Sequence, residues 1–151
     1  MGVTDLVENL DERYKITIYD KHIVAGEKSE ATTSLMGSLN ISQNGYTIRY
    51  REHTGDLAGT VTNIRVTEPN LICLHRDGAY ETDLVLELKK RHNCHYDTPY
   101  GGFMMGVYAH SMESSMDISG GILNFSYSLD VGGGEVSNNE LRIKVKEMPN
   151  V

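Results

Sequence analysis

The sequence predicts an all-β fold, a single domain of about eight to ten antiparallel strands closed into an up-and-down β-barrel. Three observations carry this. Apolar residues recur in twos along most of the chain, as they do in half-buried strands. Gly-rich, Asn-Gly and Asp-Gly punctuation separates the runs at hairpin spacing. Helical periodicity is confined to Asp5–Glu12, where Leu6, Val7 and Leu10 share a face behind an Asp5 cap. That stretch is the candidate for a short N-terminal helix, in a segment 1–12 ahead of a barrel domain spanning 13–151.

The strands follow in order. GYTIRYRE (45–52) sets Tyr46, Ile48 and Tyr50 against Thr47, Arg49 and Arg51, and TVTNIRV (60–66) puts Ile64 and Val66 on one face with Thr60 and Thr62. DLVLELK (83–89) alternates Leu84, Leu86 and Leu88 with Val85 and Glu87. In RHNCHYDTPYGGFMMGV (91–107), Pro99 has no amide donor and Tyr-Gly-Gly follows it, which marks a strand end and turn, or a bulge. GILNFSYSLDV (121–131) opposes Leu123, Phe125, Tyr127, Leu129 and Val131 to polar residues, and ELRIKVKE (140–147) does the same with Leu141, Ile143 and Val145. Asn44-Gly45 and Asp77-Gly78 read as tight turns with positive φ, and SGG (119–121) and GGG (132–134) mark two more. Connections this short make neighbours antiparallel, and closure removes exposed edges.

Composition narrows the function classes. A net charge of −7, from 14 basic and 21 acidic residues, opposes a phosphate backbone, and the longest basic run is Lys89-Lys90-Arg91. Nucleic-acid binding is not expected. The N-terminus lacks a basic-then-apolar leader, and no apolar run approaches the length of a membrane span. With Cys73 and Cys94 the only cysteines, the expectation is a cytoplasmic protein with reduced thiols and no membrane partner.

Several motifs come in a familiar order: GYxIxYxE at 45–52, TxIxV at 62–66, RxG at 76–78, YxxxYG at 96–101, GxxxxxYS at 121–128 and NELxIxV at 139–145. Together, over roughly residues 13 to 147, they resemble the YwiB-like family of small, uncharacterised bacterial proteins. The resemblance implies a lipocalin-like, calycin-type barrel. It implies no chemistry, since the shared motifs are strand faces and turn glycines. The Cys/His-rich 91–95 and the Met-rich 104–116 depart from the family pattern.

Those departures supply candidate metal ligands. Cys73, His75, His92 and Cys94 are the N and S donors that Zn²⁺ prefers, and adjacent strands 71–75 and 91–95 would bring them together. The intervening 78–90 is expected to supply a strand between them, so no metal and no cofactor is expected. Met104, Tyr108, His110 and Met112 fall on one strand face and suit Cu(I), but methionine is also an ordinary cavity filler. His110, Ser111, Ser114, Ser115 and Asp117 are hydrolytic residue types close in sequence, with no nucleophile elbow around them. The chain is not expected to be an enzyme.

Charged residues on faces that otherwise look buried are more informative. One step of two beyond Tyr46, Ile48 and Tyr50 reaches Glu52, and the same step beyond Ile72 and Leu74 reaches Arg76. Three readings are open: an internal Glu52–Arg76 ion pair that fixes register, an anchor for a small anionic or polar ligand, or two strand ends in solvent. The leading expectation is a non-enzymatic barrel binding a small molecule in or at its mouth, with Tyr50, Glu52, Arg76 and Tyr127 lining the site. An interior packed solid, with no cavity of roughly 300 Å³, would count against this expectation. The alternatives are a protein-interaction module working through the barrel exterior or an edge, including a homodimer, and a Zn or Cu protein using the Cys/His/Met stretch.

Overall fold

The computed structural model describes residues 12–53 and 58–149, with Thr98 described by its backbone alone. The helix expected over Asp5–Glu12 lies almost wholly outside those residues. Ten strands follow one another: β1 (Tyr14–Val24), β2 (Glu27–Ser42), β3 (Gly45–Arg51), β4 (Val61–Thr67), β5 (Leu71–Asp77), β6 (Thr82–Glu87), β7 (Arg91–Thr98), β8 (Gly101–Asp117), β9 (Gly120–Val131) and β10 (Gly134–Glu147). Each pairs antiparallel with the next, and β1 closes the barrel against β10. The expected architecture is the one found. Among the described residues, no helix is long and apolar enough to cross a membrane.

Alternation decides what lies inside. Ile16, Ile48, Ile64, Ile72, Leu84, Leu86, Leu123, Phe125 and Ile143 are fully buried, each flanked in sequence by more exposed residues. Because the strands run up and down, β1, β3, β5, β7 and β9 all end at one end of the barrel, called here the mouth. The other end, the base, holds the start of β1 and the turns after β2, β4, β6 and β8.

Glycine enables the closure at one place in particular. β2 pairs with β1 along Glu27–Gly37 and with β3 along Gly37–Ser42, so it changes neighbours at Gly37. A Cβ there would strike Ile16 Cδ1, the Arg49 carbonyl and Tyr50 Cβ. Only a bare backbone lets Tyr50 pack inward opposite it.

Two local expectations are corrected. Among the described residues, neither Asn44-Gly45 nor Asp77-Gly78 has positive φ. The paired positive-φ turns are Ala25-Gly26 (52° and 81°) and Gly132-Gly133 (61° and 88°). Gly45 is required for a different reason, since a Cβ there would fall on the Val66 carbonyl oxygen. The Met104–Met112 face is also broken. The β8–β9 register shifts between Ala109 and Ser111, so His110 is the extra residue of a bulge. Met112 then packs on the core, while Met104 stays exposed.

Candidate functional site at the barrel mouth

Register assembles the site. Across the inner wall, Tyr50 faces Thr62, Thr62 faces Arg76, Arg76 faces Thr82 and Thr82 faces Tyr96. Tyr127 enters this level from β9, paired with Ala109 and Asn139. Glu52 lies just beyond β3, held in line by its N–H donating to Thr60 O and its carbonyl accepting from Gly59 N–H, both at 2.8 Å. Four predicted site residues thus gather at one end of the interior. Tyr50 and Tyr127 are 2% and 8% exposed, and Glu52 and Arg76 are half-buried.

No ion pair joins Glu52 and Arg76, so the direct internal bridge is not the arrangement present. The reading of both as strand ends in open solvent is also corrected, since each is half-buried. They act on one another at longer range. Burial pushes the Glu52 carboxyl above its ordinary value, while Arg76 and then His53 pull it back. Burial pushes the Tyr50 phenol up to about 12 against the pull of Arg76. Burial likewise raises the Tyr127 phenol, with Arg76 again opposing. Both phenols therefore stay protonated at neutral pH and can donate hydrogen bonds.

Two neighbouring groups are left over. Arg76 Nε is sealed from solvent and has no hydrogen-bond partner among the described residues. Thr62 Oγ1, directly opposite in register, is close enough to Tyr50 to favour its phenolate, yet has no partner at hydrogen-bonding geometry. A sealed polar group without a partner costs about 1–3 kcal/mol, and more when it is charged. An oxyanion is the species that accepts from a guanidinium and a hydroxyl together.

Sequence reasoning missed members of the same level. Asp20 is close enough to act on both Tyr50 and Tyr127, and Asn139 hydrogen-bonds Ser137 Oγ at 2.9 Å. The rule that found Glu52 also finds these two. Asp20 is one step beyond Tyr14, Ile16 and Ile18, and Asn139 one step before Leu141 and Ile143.

The other candidates do not assemble. β6 separates β5 from β7, as the sequence suggested. Cys73 sits on the outer face of β5, whereas Cys94 is buried on β7, its Sγ accepting the Val85 N–H at 3.3 Å. His75 pairs with Asp83 at 2.5 Å and His92 with Glu87 at 2.9 Å. Among the described residues, no three His, Cys, Asp or Glu side chains are placed to share a metal. The hydrolytic types disperse as well: Ser111 pairs with Ser126, Ser114 with Tyr46, Asp117 with Ser119 and His110 with Ser128.

Comparison with known proteins agrees with the fold. The chain belongs to the family described as Domain of unknown function (DUF1934), whose model matches residues 16–143. It is similar in fold to the crystal structure of ywiB protein from Bacillus subtilis, with a TM-score of 0.79 and 18% sequence identity. That likeness covers 90% of this chain and 92% of the other, and bears on the fold alone. No curated protein matches the chain.

Proposed function

We propose that the chain is a non-enzymatic barrel that captures a small anionic or polar molecule at its mouth. One observation carries the reading: the Arg76 guanidinium is half-buried, and among the described residues its Nε is sealed without a partner, across from the equally unpartnered Thr62 hydroxyl. Arg76 is the anchor, Tyr50 and Tyr127 are neutral donors, and Glu52 with Asp20 sets the limit on how much negative charge the site accepts. The mouth is favoured over a deep internal cavity. Clefts of about 510 and 470 Å³ lie on the outer wall and others of about 510 and 500 Å³ at the base, while Ile48, Ile64, Phe125 and their neighbours fill the interior below. Two free thiols support a reducing, cytoplasmic setting.

The test is native mass spectrometry of untagged protein, followed by thermal-shift titration with acetate, succinate and citrate. A carried adduct or a saturable shift is expected, weakened at least about tenfold by Arg76→Gln, the loss of one charge-assisted contact. A bare mass with no carboxylate-dependent shift would overturn the reading, and so would a shift that Arg76→Gln leaves intact.

A further inference from the structure

The outer wall of the barrel holds a second, independent feature. Arginines on the far side have carboxylate partners: Arg91 donates to Asp130 through Nε at 2.9 Å and Nη2 at 2.7 Å, and Arg142 reaches Glu140 at 3.1 Å. Arg49, Arg51 and Arg65 on β3 and β4 have none among the described residues. Among the described residues, Arg51 makes a 3.3 Å contact to the Gly59 carbonyl, and Arg49 Nε is sealed without a partner.

Their surroundings explain why. The outward positions of β2 beside them are Ser38 and Asn40, those of β3 are Thr47, Arg49 and Arg51, and those of β4 include Asn63, Arg65 and Thr67. Among the described residues, none of these outward positions is acidic, and the carboxylate of Asp83, on β6, is taken up by His75. Arg49 faces Asn63 and Thr47 faces Arg65, so Arg49 and Arg65 are diagonal neighbours about 7–8 Å apart at the backbone. Arg65 also borders a cleft of about 510 Å³ shared with Asn63, Cys73, His75, Asp83 and Val85. That volume is within the range of small-molecule sites.

We propose that this wall binds a small molecule carrying two linked phosphate groups. The diagonal pair of guanidinium forks takes one phosphate each, since a fork matches phosphate oxygens geometrically as well as in charge. The organic body lies in the cleft over Cys73 and Val85, with Asn63 and the His75-bound Asp83 at its polar edge. A single phosphate engages only one fork and binds more weakly. A nucleic acid is disfavoured, because three arginines on an acidic protein neutralise too few phosphates to offset its overall repulsion.

Isothermal titration of the full chain with inorganic pyrophosphate tests this, with inorganic phosphate and a short single-stranded DNA as comparators. Saturable one-to-one pyrophosphate binding is expected, weakened at least about tenfold by Arg49→Gln or Arg65→Gln and unchanged by Arg76→Gln. Arg65 is exposed, so Arg65→Gln keeps the test intact if Arg49→Gln fails to fold. Absence of saturable pyrophosphate binding overturns the proposal. Binding lost in Arg76→Gln but retained in Arg49→Gln and Arg65→Gln also overturns it and moves the anion to the mouth. DNA binding tighter than pyrophosphate binding, and lost with the same arginines, reassigns the wall to nucleic acid.

Discussion

At the base of the barrel, Tyr14 donates its hydroxyl to the Ile118 carbonyl at 2.8 Å, and the Tyr46 hydroxyl pairs with Ser114 Oγ. At the mouth, on the same inner wall, Arg76 Nε and Thr62 Oγ1 are sealed with no partner among the described residues. The base follows the rule that buried polar groups are hydrogen-bonded, and the mouth departs from it in two adjacent residues. One sheet builds both ends, so the difference lies in side-chain choice. At the base, the Tyr14 and Tyr46 hydroxyls each have a hydrogen-bond partner. At the mouth, polar groups occupy positions where the strand pattern calls for apolar ones, and stability is given up there.

The largest expected effects test this contrast directly. Ile64→Ala, which empties a fully buried position, is expected to cost about 2–5 kcal/mol in urea unfolding. Thr62→Val, two residues earlier on the same strand, conserves shape and removes the orphaned hydroxyl. It should be neutral or stabilising, by up to about 1 kcal/mol. If Thr62→Val instead destabilises by more than about 1 kcal/mol, its hydroxyl has a structural partner and the contrast between the two ends fails.

A smaller difference separates the tyrosines. Tyr46→Phe removes the bond to Ser114, and a loss of about 1 kcal/mol is expected. Tyr50→Phe, which removes the hydroxyl beside Thr62 and Arg76, should change stability by less while weakening carboxylate binding. Equal stability losses from the two substitutions would mean that the mouth is as well bonded as the base.

Which parts of this were legible in the sequence follows from burial. Alternation located β3 to β6, β9 and β10 because each has one buried face. It gave no signal for the first half of β2, where Glu27–Ser34 are exposed on both faces. The Ala25-Gly26 turn was hidden because alanine rarely adopts positive φ. The bulge at His110 separated Met112, which packs against the core, from the face expected to include Met104, and a one-residue insertion leaves no compositional trace. Extending a buried face by two found Glu52 and Arg76. The same step applied to β1 and β10 adds Asp20 and Asn139. The orphaned state of Arg76 Nε needed coordinates, since it depends on what fails to reach it.

The smallest effect is a slope with pH, and its sign separates the mouth carboxyl from an ordinary surface one. Burial raises Glu52 above its ordinary 4.5, so the folded state holds this proton more tightly than the unfolded chain. Stability from this group is therefore present below about 4.5, declines as pH rises through the raised folded value, and is flat beyond it. Glu87 is the counterexample: hydrogen bonds from His92 and then Lys90 lower it from 4.5. Its stabilisation is present above 4.5 and disappears as pH falls through the depressed value. Glu52→Gln should flatten the decline above 4.5 and raise the neutral-pH unfolding midpoint, and Glu87→Gln should flatten only the acid limb. Urea midpoints followed from the acid limb to neutrality decide it. A Glu52→Gln profile parallel to wild type would show that the mouth hydrates its carboxyl as fully as the surface does, which would also remove the reason for an anion to prefer Arg76 over water.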